Sequence, residues 1–209
     1  MELLKHIINL DLHWIIQNFS GTFYFILFLI IFIETGVVIF PLLPGDSLLF
    51  TAGLFAKAGD LNIFYLVGLL FIAAVLGDNT NYFIGRNIGL RVLKHQFRGK
   101  PIIKQEYIDK THSFFEKYGP KTIIMARFVP IVRTFSPFVA GVAVMKYSKF
   151  LSYDLLGGAV WIVSLTFAGY FLGEIDFIKN HIDLVAIAII ILSILPILIQ
   201  IMKKKKQTH

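Results

Sequence analysis

The 209-residue sequence has no cysteine, which excludes disulfides, thiolate metal sites and cysteine nucleophiles at once. It also has no HExxH, GxSxG or histidine-based phosphatase constellation, and no GxxxxGK[ST] loop to cradle nucleotide phosphates. Its six histidines, His6, His13, His95, His112, His181 and His209, lie outside the apolar stretches or at their edges. The chain is therefore read as a non-enzyme, and no catalytic residue, cofactor or metal is assigned to it. Residues 1–20 lack a small-residue cleavage site, and Glu2 and Asp11 interrupt any apolar core there, so a signal peptide is not expected. Acidic residues are few, 13 against 20 Lys and Arg, which leaves a formal charge of +7.

Apolar residues are what the chain has in excess. At 56% hydrophobic and 15% aromatic it is more apolar than a soluble domain of this size, where about half or less is usual, and it reads as an integral membrane protein. The basic surplus does not point to nucleic acid, because it falls in blocks beside apolar spans, the pattern that orients membrane helices toward the cytoplasm. Leu3, Leu4, Ile7, Ile8, Trp14 and Ile15 recur at helical spacing, so residues 1–20 are expected to form an interfacial amphipathic helix. Tyr107, Ile108, Thr111, Phe114, Phe115 and Tyr118 repeat that pattern over 104–118, within a basic cytoplasmic loop at 86–119 whose lysines attract anionic lipid.

Apolar runs of about 20 residues give four full spans, at 22–40, 62–85, 150–172 and 183–202. Two further stretches resist that reading. Residues 41–59 carry Pro41, Pro44, Gly45 and Gly53, and residues 120–146 carry Pro130, Pro137 and Gly141. Proline removes a backbone donor and clashes with the preceding turn, so neither is expected to run as one helix. Arg86, Arg91, Lys94, Arg98, Lys100, Lys104, Lys110, Lys117 and Lys121 place the central loop in the cytoplasm, and Lys203–Lys206 place the basic tail 203–209 there too. Counting spans back from that tail puts Lys146 and Lys149 in the cytoplasm as well, so 122–145 starts and ends on one side.

The parity argument makes 120–146 a re-entrant hairpin, and the same argument with a cytoplasmic N-terminus makes 41–59 one that enters from the opposite face. Each hairpin is followed by a span, at 41–85 and 120–172, giving an inverted repeat in a single membrane domain, 1–209. Pro44 followed by Ala52-Gly53 echoes Pro130 followed by Ala140-Gly141. The fold class is thus all-α: a polytopic membrane protein of about four transmembrane helices, two opposed re-entrant hairpins and interfacial amphipathic helices. Transporters built this way bind substrate where broken helices meet.

Four charges stand within or beside these apolar stretches: Glu34, Asp46, Arg127 and Arg133. An ionised side chain near the bilayer centre costs about 2.5–3.5 kcal/mol on insertion scales, so four of them suggest a binding site or pathway. A guanidinium fork matches phosphate or carboxylate in two bonds, which assigns Arg127 and Arg133 to an anionic phosphate headgroup. Glu34 and Asp46 are the candidates for proton coupling; the bland alternative is that they form fixed salt bridges with the arginines. Asp78, Asn79 and Asn81 read first as interface markers, Arg86 as a positive-inside anchor, and Asp154 as either a cavity wall or a near-interface acid, with Asp78, Arg86 and Asp154 kept as secondary site candidates. Trp161 is expected to face lipid or a neighbouring helix.

Glu34, FPLLPGDSLLFTAG at 40–53, the Gly77-Asp78 pair with YFIGR at 82–86, and RFVPIVRTFSPFVAG at 127–141 with Phe150, Gly157 and Trp161 together resemble the DedA family, also called the SNARE-associated or VTT-domain family. The match covers most of residues 30–165. Where members usually carry Asn ahead of the glycine, this chain has Asp154. The resemblance implies a bacterial cytoplasmic-membrane protein with two opposed re-entrant segments that moves lipid, with undecaprenyl phosphate as the first substrate candidate. The family's functional acids and arginines fall on Glu34, Asp46, Arg127 and Arg133. Two alternatives stand beside that reading: a phospholipid flippase or scramblase, for instance for phosphatidylethanolamine, and a proton- or sodium-coupled exporter of small cations. Membrane lipids are the expected partners, with protons or sodium as coupling ions and a homo-oligomer as a candidate assembly; nucleic acid is not among them.

Overall fold

The computed structural model describes residues 12–36, 45–89, 96–97, 100–101, 119, 121–189 and 191. Helix α1 (Leu12–Asn18) leads through a turn at Phe19 into α2 (Ser20–Gly36). Then come α3 (Gly45–Ala58) and α4 (Ile63–Ile84), which ends in a π-helical turn, Gly85–Gly89. Strands β1 (Gln96–Phe97) and β2 (Lys100–Pro101) pair antiparallel, with Gln96 opposite Pro101. Helices α5 (Thr122–Ala126), α6 (Pro130–Val142), α7 (Tyr147–Leu172) and α8 (Asp176–Asn180) follow, and residues 182–189 are helical too. Apart from that two-rung ladder, the described residues are helices and turns, as expected of an all-α chain.

Local chemistry sets several boundaries. The Asn62 side-chain oxygen accepts the amides of Phe64 and Tyr65, each at 3.0 Å, and so caps the start of α4. Asp46 in the first turn of α3 and Lys57 in the last complement its dipole. Pro130 opens α6, where its missing N–H is no loss, behind an extended Val129. Val144, between α6 and α7, has φ +53°, a left-handed conformation that a β-branched residue rarely adopts.

Among the described residues, two helices are long and apolar enough to cross a bilayer. Ile63–Asn87 (25 residues) and Tyr147–Leu172 (26 residues) each reach a mean hydropathy of 1.8, and at about 1.5 Å per residue each exceeds a hydrocarbon core of roughly 30 Å. The expected span at 22–40 corresponds to α2, which has 17 residues; residues 37–40 lie outside the described set. The expected span at 183–202 is described only to residue 189 and at 191. Residues 1–11 and 104–118, where amphipathic helices are expected, also lie outside the described residues, as do Pro41 and Pro44.

The chain divides into two compact units. One comprises Met1–Ile30, Leu42–Leu70 and Ile162–His209, and the other Ile31–Pro41 and Phe71–Trp161. In the first, α3 packs antiparallel on the C-terminal end of α7. A Cβ at Gly53 would strike the Thr166 carbonyl, and one at Gly169 the Phe50 carbonyl, so the backbones meet with no side chain between them. Leu49, Leu54, Phe55, Leu66 and Leu70 are buried around that contact. At the far end of α3, Lys57 forms an ion pair with Glu174 and lies 4.9 Å from the centre of the Tyr170 ring.

The second unit repeats the device. Helix α6 packs antiparallel on the C-terminal end of α4, and a Cβ at Gly141 would strike the Tyr82 carbonyl, one at Gly85 the Phe138 carbonyl. Gly77 gives α2 the same access to α4, since a side chain there would meet Thr35 and the Phe32 carbonyl. The core is Tyr82, Ile123, Ala140 and Phe150, with Met145, Tyr147 and Tyr153 against it. Tyr82 stacks on Phe150 at 4.4 Å between ring centres.

The helix breaks fall partly where proline and glycine suggest. Residues 122–142 are not one helix but two, joined at Arg127–Val129, of 5 and 13 residues rather than eight to ten each. Pro137 does not interrupt the longer arm; it lies inside α6. Of the stretch 41–59, Pro41 and Pro44 lie outside the described residues, and α3 is one helix of 14 residues that runs through Gly53, longer than the expected arm of eight to ten. A glycine inside a helix costs only about 1 kcal/mol, and close backbone packing against α7 offsets it.

Candidate functional site

The second unit gathers five charged side chains and buries all of them. Glu34 comes from the last turns of α2, Asp78 from α4, Arg127 from the break after α5, Arg133 from the first turn of α6, and Asp154 from α7. Glu34 and Asp154 are fully buried, and the most exposed of the five, Arg133, is 7% exposed. Charges in such surroundings persist only when paired and hydrogen-bonded. They form two clusters.

In the first cluster the Arg133 Nη2 donates to Glu34 Oε1. The guanidinium carbon lies 4.7 Å from the centre of the Trp161 ring, so the cation has a carboxylate at its edge and an aromatic face beneath it. Asn81, buried on α4, sets the register of this pair. Its Nδ2 donates to the carbonyl of Thr35 at 3.0 Å and to that of Thr134 at 2.7 Å. Those two residues directly follow Glu34 and Arg133, so one carboxamide ties the end of α2 to the start of α6 at the height of the ion pair. Thr35 secures the same helix end, its hydroxyl lying 3.0 Å from the Ile31 carbonyl and 3.4 Å from that of Ala74.

In the second cluster a single nitrogen serves two acids. Arg127 Nη2 donates to Asp78 Oδ2 and to Asp154 Oδ1, and lies 3.3 Å from the Asp154 carbonyl oxygen. The side chain lies along a groove that glycine opens in α7: a Cβ at Gly157 would come within 3.0 Å of Arg127 Cδ, and one at Gly158 within 3.4 Å of Nη2. Arg127 Nε and Asp154 Oδ2 are buried and have no hydrogen-bond partner among the described residues. Three carboxyl groups against two guanidinium groups leave these five buried side chains with one negative charge in excess if all are ionised.

Of the residues singled out in the sequence, Glu34, Arg127 and Arg133 thus share one unit. Asp46 belongs to the other, in the first turn of α3. Asp78, a secondary site candidate, and Asn81, read as an interface marker, are each almost completely buried and bonded within the clusters. Asp154 is a cluster member rather than a near-interface acid. Arg86 is half-buried and donates to the Tyr82 hydroxyl at 3.0 Å, a packing contact that supplements any anchoring role. Trp161, expected to face lipid or a helix, lies under Arg133. Asp154, Gly157, Gly158 and Trp161 recur at helical spacing along one face of α7, the signal from which this side of the site could be read.

Comparison with known proteins places these residues in a family. The VTT domain matches residues 43–171, which include every member of the two clusters but Glu34. "Protein DedA" of Escherichia coli (strain K12) is 46% identical over 208 residues, covering 98% of this chain and 94% of that protein. "Inner membrane protein YqjA" of the same strain is 34% identical over 155 residues, covering 74% of this chain and 69% of that protein. No solved structure matches.

Proposed function

Because the chain belongs to the VTT-domain family of membrane proteins, also called the DedA family, we propose that it is a lipid translocase of the bacterial cytoplasmic membrane that moves a phosphate-bearing lipid between leaflets, undecaprenyl phosphate first among the candidates. One observation carries the reading: two guanidinium groups, buried in one unit, are each held by carboxylates. Carboxylate and phosphate are alternative partners for the same fork of donors, so an arriving phosphate can displace an acid without leaving the arginine bare. Arg127 and Arg133 take the headgroup in this reading, and Glu34 exchanges with it. Asp46 is assigned to proton coupling from its place in the sequence, and protons rather than sodium are taken as the coupling ion.

The architecture proposed with it is the inverted repeat of opposed re-entrant segments, with a cytoplasmic C-terminus. Two observations favour it. Phe50 and Gly53 face Gly169 and Thr166 in one unit, while Phe138 and Gly141 face Gly85 and Tyr82 in the other, the same antiparallel spacing. Each short helix also packs on the C-terminal end of the long helix that belongs to the opposite repeat. The inner-membrane assignment draws on the name of the Escherichia coli relative.

The test is a proteoliposome assay that follows exposure of the undecaprenyl phosphate headgroup, with phosphatidylethanolamine as comparison lipid. Arg133→Lys keeps the charge and loses the planar fork, and should slow exposure by about tenfold or more, on the order of 1.4 kcal/mol. Wild-type vesicles no faster than empty ones would remove the translocase reading. Equal movement of phosphatidylethanolamine would select the phospholipid alternative.

A further inference from the structure

The Arg127 cluster has a composition that a structural salt bridge does not require. One carboxylate balances the charge of one guanidinium, yet here Asp78 and Asp154, from different helices, converge on the same nitrogen of one arginine. Two carboxylates gathered on a single nitrogen in a buried site repel each other, and one positive charge offsets only one of them, which favours a proton shared by the pair; the aspartic-protease pair is the general precedent for such sharing. Among the described residues, Arg127 is the only cation that pairs with either aspartate. The other charged and titratable groups among the described residues of this unit are Glu34 of α2, Tyr82 of α4, Arg86 in the π-helical turn, Lys100 of β2, Lys121 ahead of α5, Arg133 of α6, Lys146 ahead of α7, and Tyr147, Lys149 and Tyr153 of α7. Of the two arginines, Arg133 is taken by Glu34 and Arg86 donates to Tyr82.

Two buried atoms in the cluster independently call for a ligand. Asp154 Oδ2 is an acceptor without a donor, and Arg127 Nε is a donor without an acceptor. Asp154 is completely buried and Arg127 is 5% exposed. A proton on the Asp154 carboxyl removes the excess negative charge. An anionic oxygen is the natural partner for Nε.

We propose that Asp78 and Asp154 share one proton across Arg127, and that a second proton taken up by this pair releases Arg127 to bind an anionic phosphate oxygen. The second half rests on the translocase reading; the first does not. The balance is simple. On uptake a hydronium ion from the aqueous phase gives its proton to a carboxylate oxygen and leaves water; on release the carboxyl returns the proton to water. With one proton shared, the five buried charges sum to zero. With a second, the site carries a single positive charge, which matches a phosphate monoanion. Proton binding and headgroup binding then favour each other, and loss of the proton returns Arg127 to its two aspartates and expels the lipid.

Infrared spectroscopy of the full-length protein in lipid, with the carboxyl carbon of aspartate isotopically labelled, tests the shared proton without any transport. The wild type should show a protonated aspartic C=O stretch at neutral pH that shifts with the label. The band should vanish in Asp154→Asn and in Asp78→Asn, since the remaining acid then pairs with Arg127 as an ordinary ion pair, and should persist in Asp176→Asn on exposed α8. Absence of the band from the wild type overturns the proposal even if both site variants fail to fold, and so does its survival in both variants. For the coupling half, headgroup exposure by Asp154→Asn vesicles should lose its response to an imposed pH gradient while the wild type keeps it. An unchanged response overturns that half, as does a wild type that moves no lipid phosphate at all.

Discussion

A buried charge that keeps one partner is stable, and one that loses it is not. Replacing Arg133 by Ala strands Glu34, and breaking a buried pair in this way costs about 3–5 kcal/mol, read as a lowered unfolding midpoint in detergent. The double change Glu34→Gln with Arg133→Met removes both charges and should recover most of that loss, while headgroup movement stays abolished. Asn81→Leu leaves the Thr35 and Thr134 carbonyls without their shared donor and should cost about 1–3 kcal/mol. Glu34, Arg127 and Arg133 were legible in the sequence because a charge in an apolar run is conspicuous. Asp78 was legible only as a secondary candidate, since its neighbour is a basic loop and proximity to that loop suggested the interface. Asn81 was the hardest to foresee, because it works through two backbone carbonyls that no residue pattern specifies.

At the scale of elements, backbones in direct contact leave little tolerance. Gly53→Ala and Gly141→Ala each drive a methyl into a carbonyl of the facing helix, an overpacking that costs about 1–3 kcal/mol. Gly68, on α4, meets nothing within 4 Å of a built Cβ, so Gly68→Ala should instead stabilise by about 0.5–1 kcal/mol; thermal unfolding of the three variants separates packing from propensity. The echo of Ala52-Gly53 in Ala140-Gly141 was visible in the sequence, and its sense as matched packing was not. Read one residue at a time, glycine and proline announce breaks, and that rule located the joint ahead of Pro130. It failed at Gly53 and Pro137, where tertiary contact outweighs local preference.

For the whole molecule, the absence of cysteine makes every introduced thiol unambiguous. Single cysteines replacing Lys57 and Lys121 should react with a membrane-impermeant reagent from opposite sides of oriented vesicles, and same-side labelling would remove the inverted arrangement. Composition made the membrane setting legible, and mean hydropathy along α4 and α7 agrees with it. The pairing of helices within each unit was beyond reach, because apolar spans of equal length offer no sequence cue to their neighbours. The two units also differ in how their short helices are fastened. The second is held by enclosed ion pairs, whereas α3 is tied at its far end by Lys57 and Glu174, whose side chains are 28% and 57% exposed. Mobile ions reach such a contact and leave enclosed ones alone. Raising ionic strength should therefore speed amide deuteration at the end of α3 and spare α6, so that brine loosens one arm while acid governs the other.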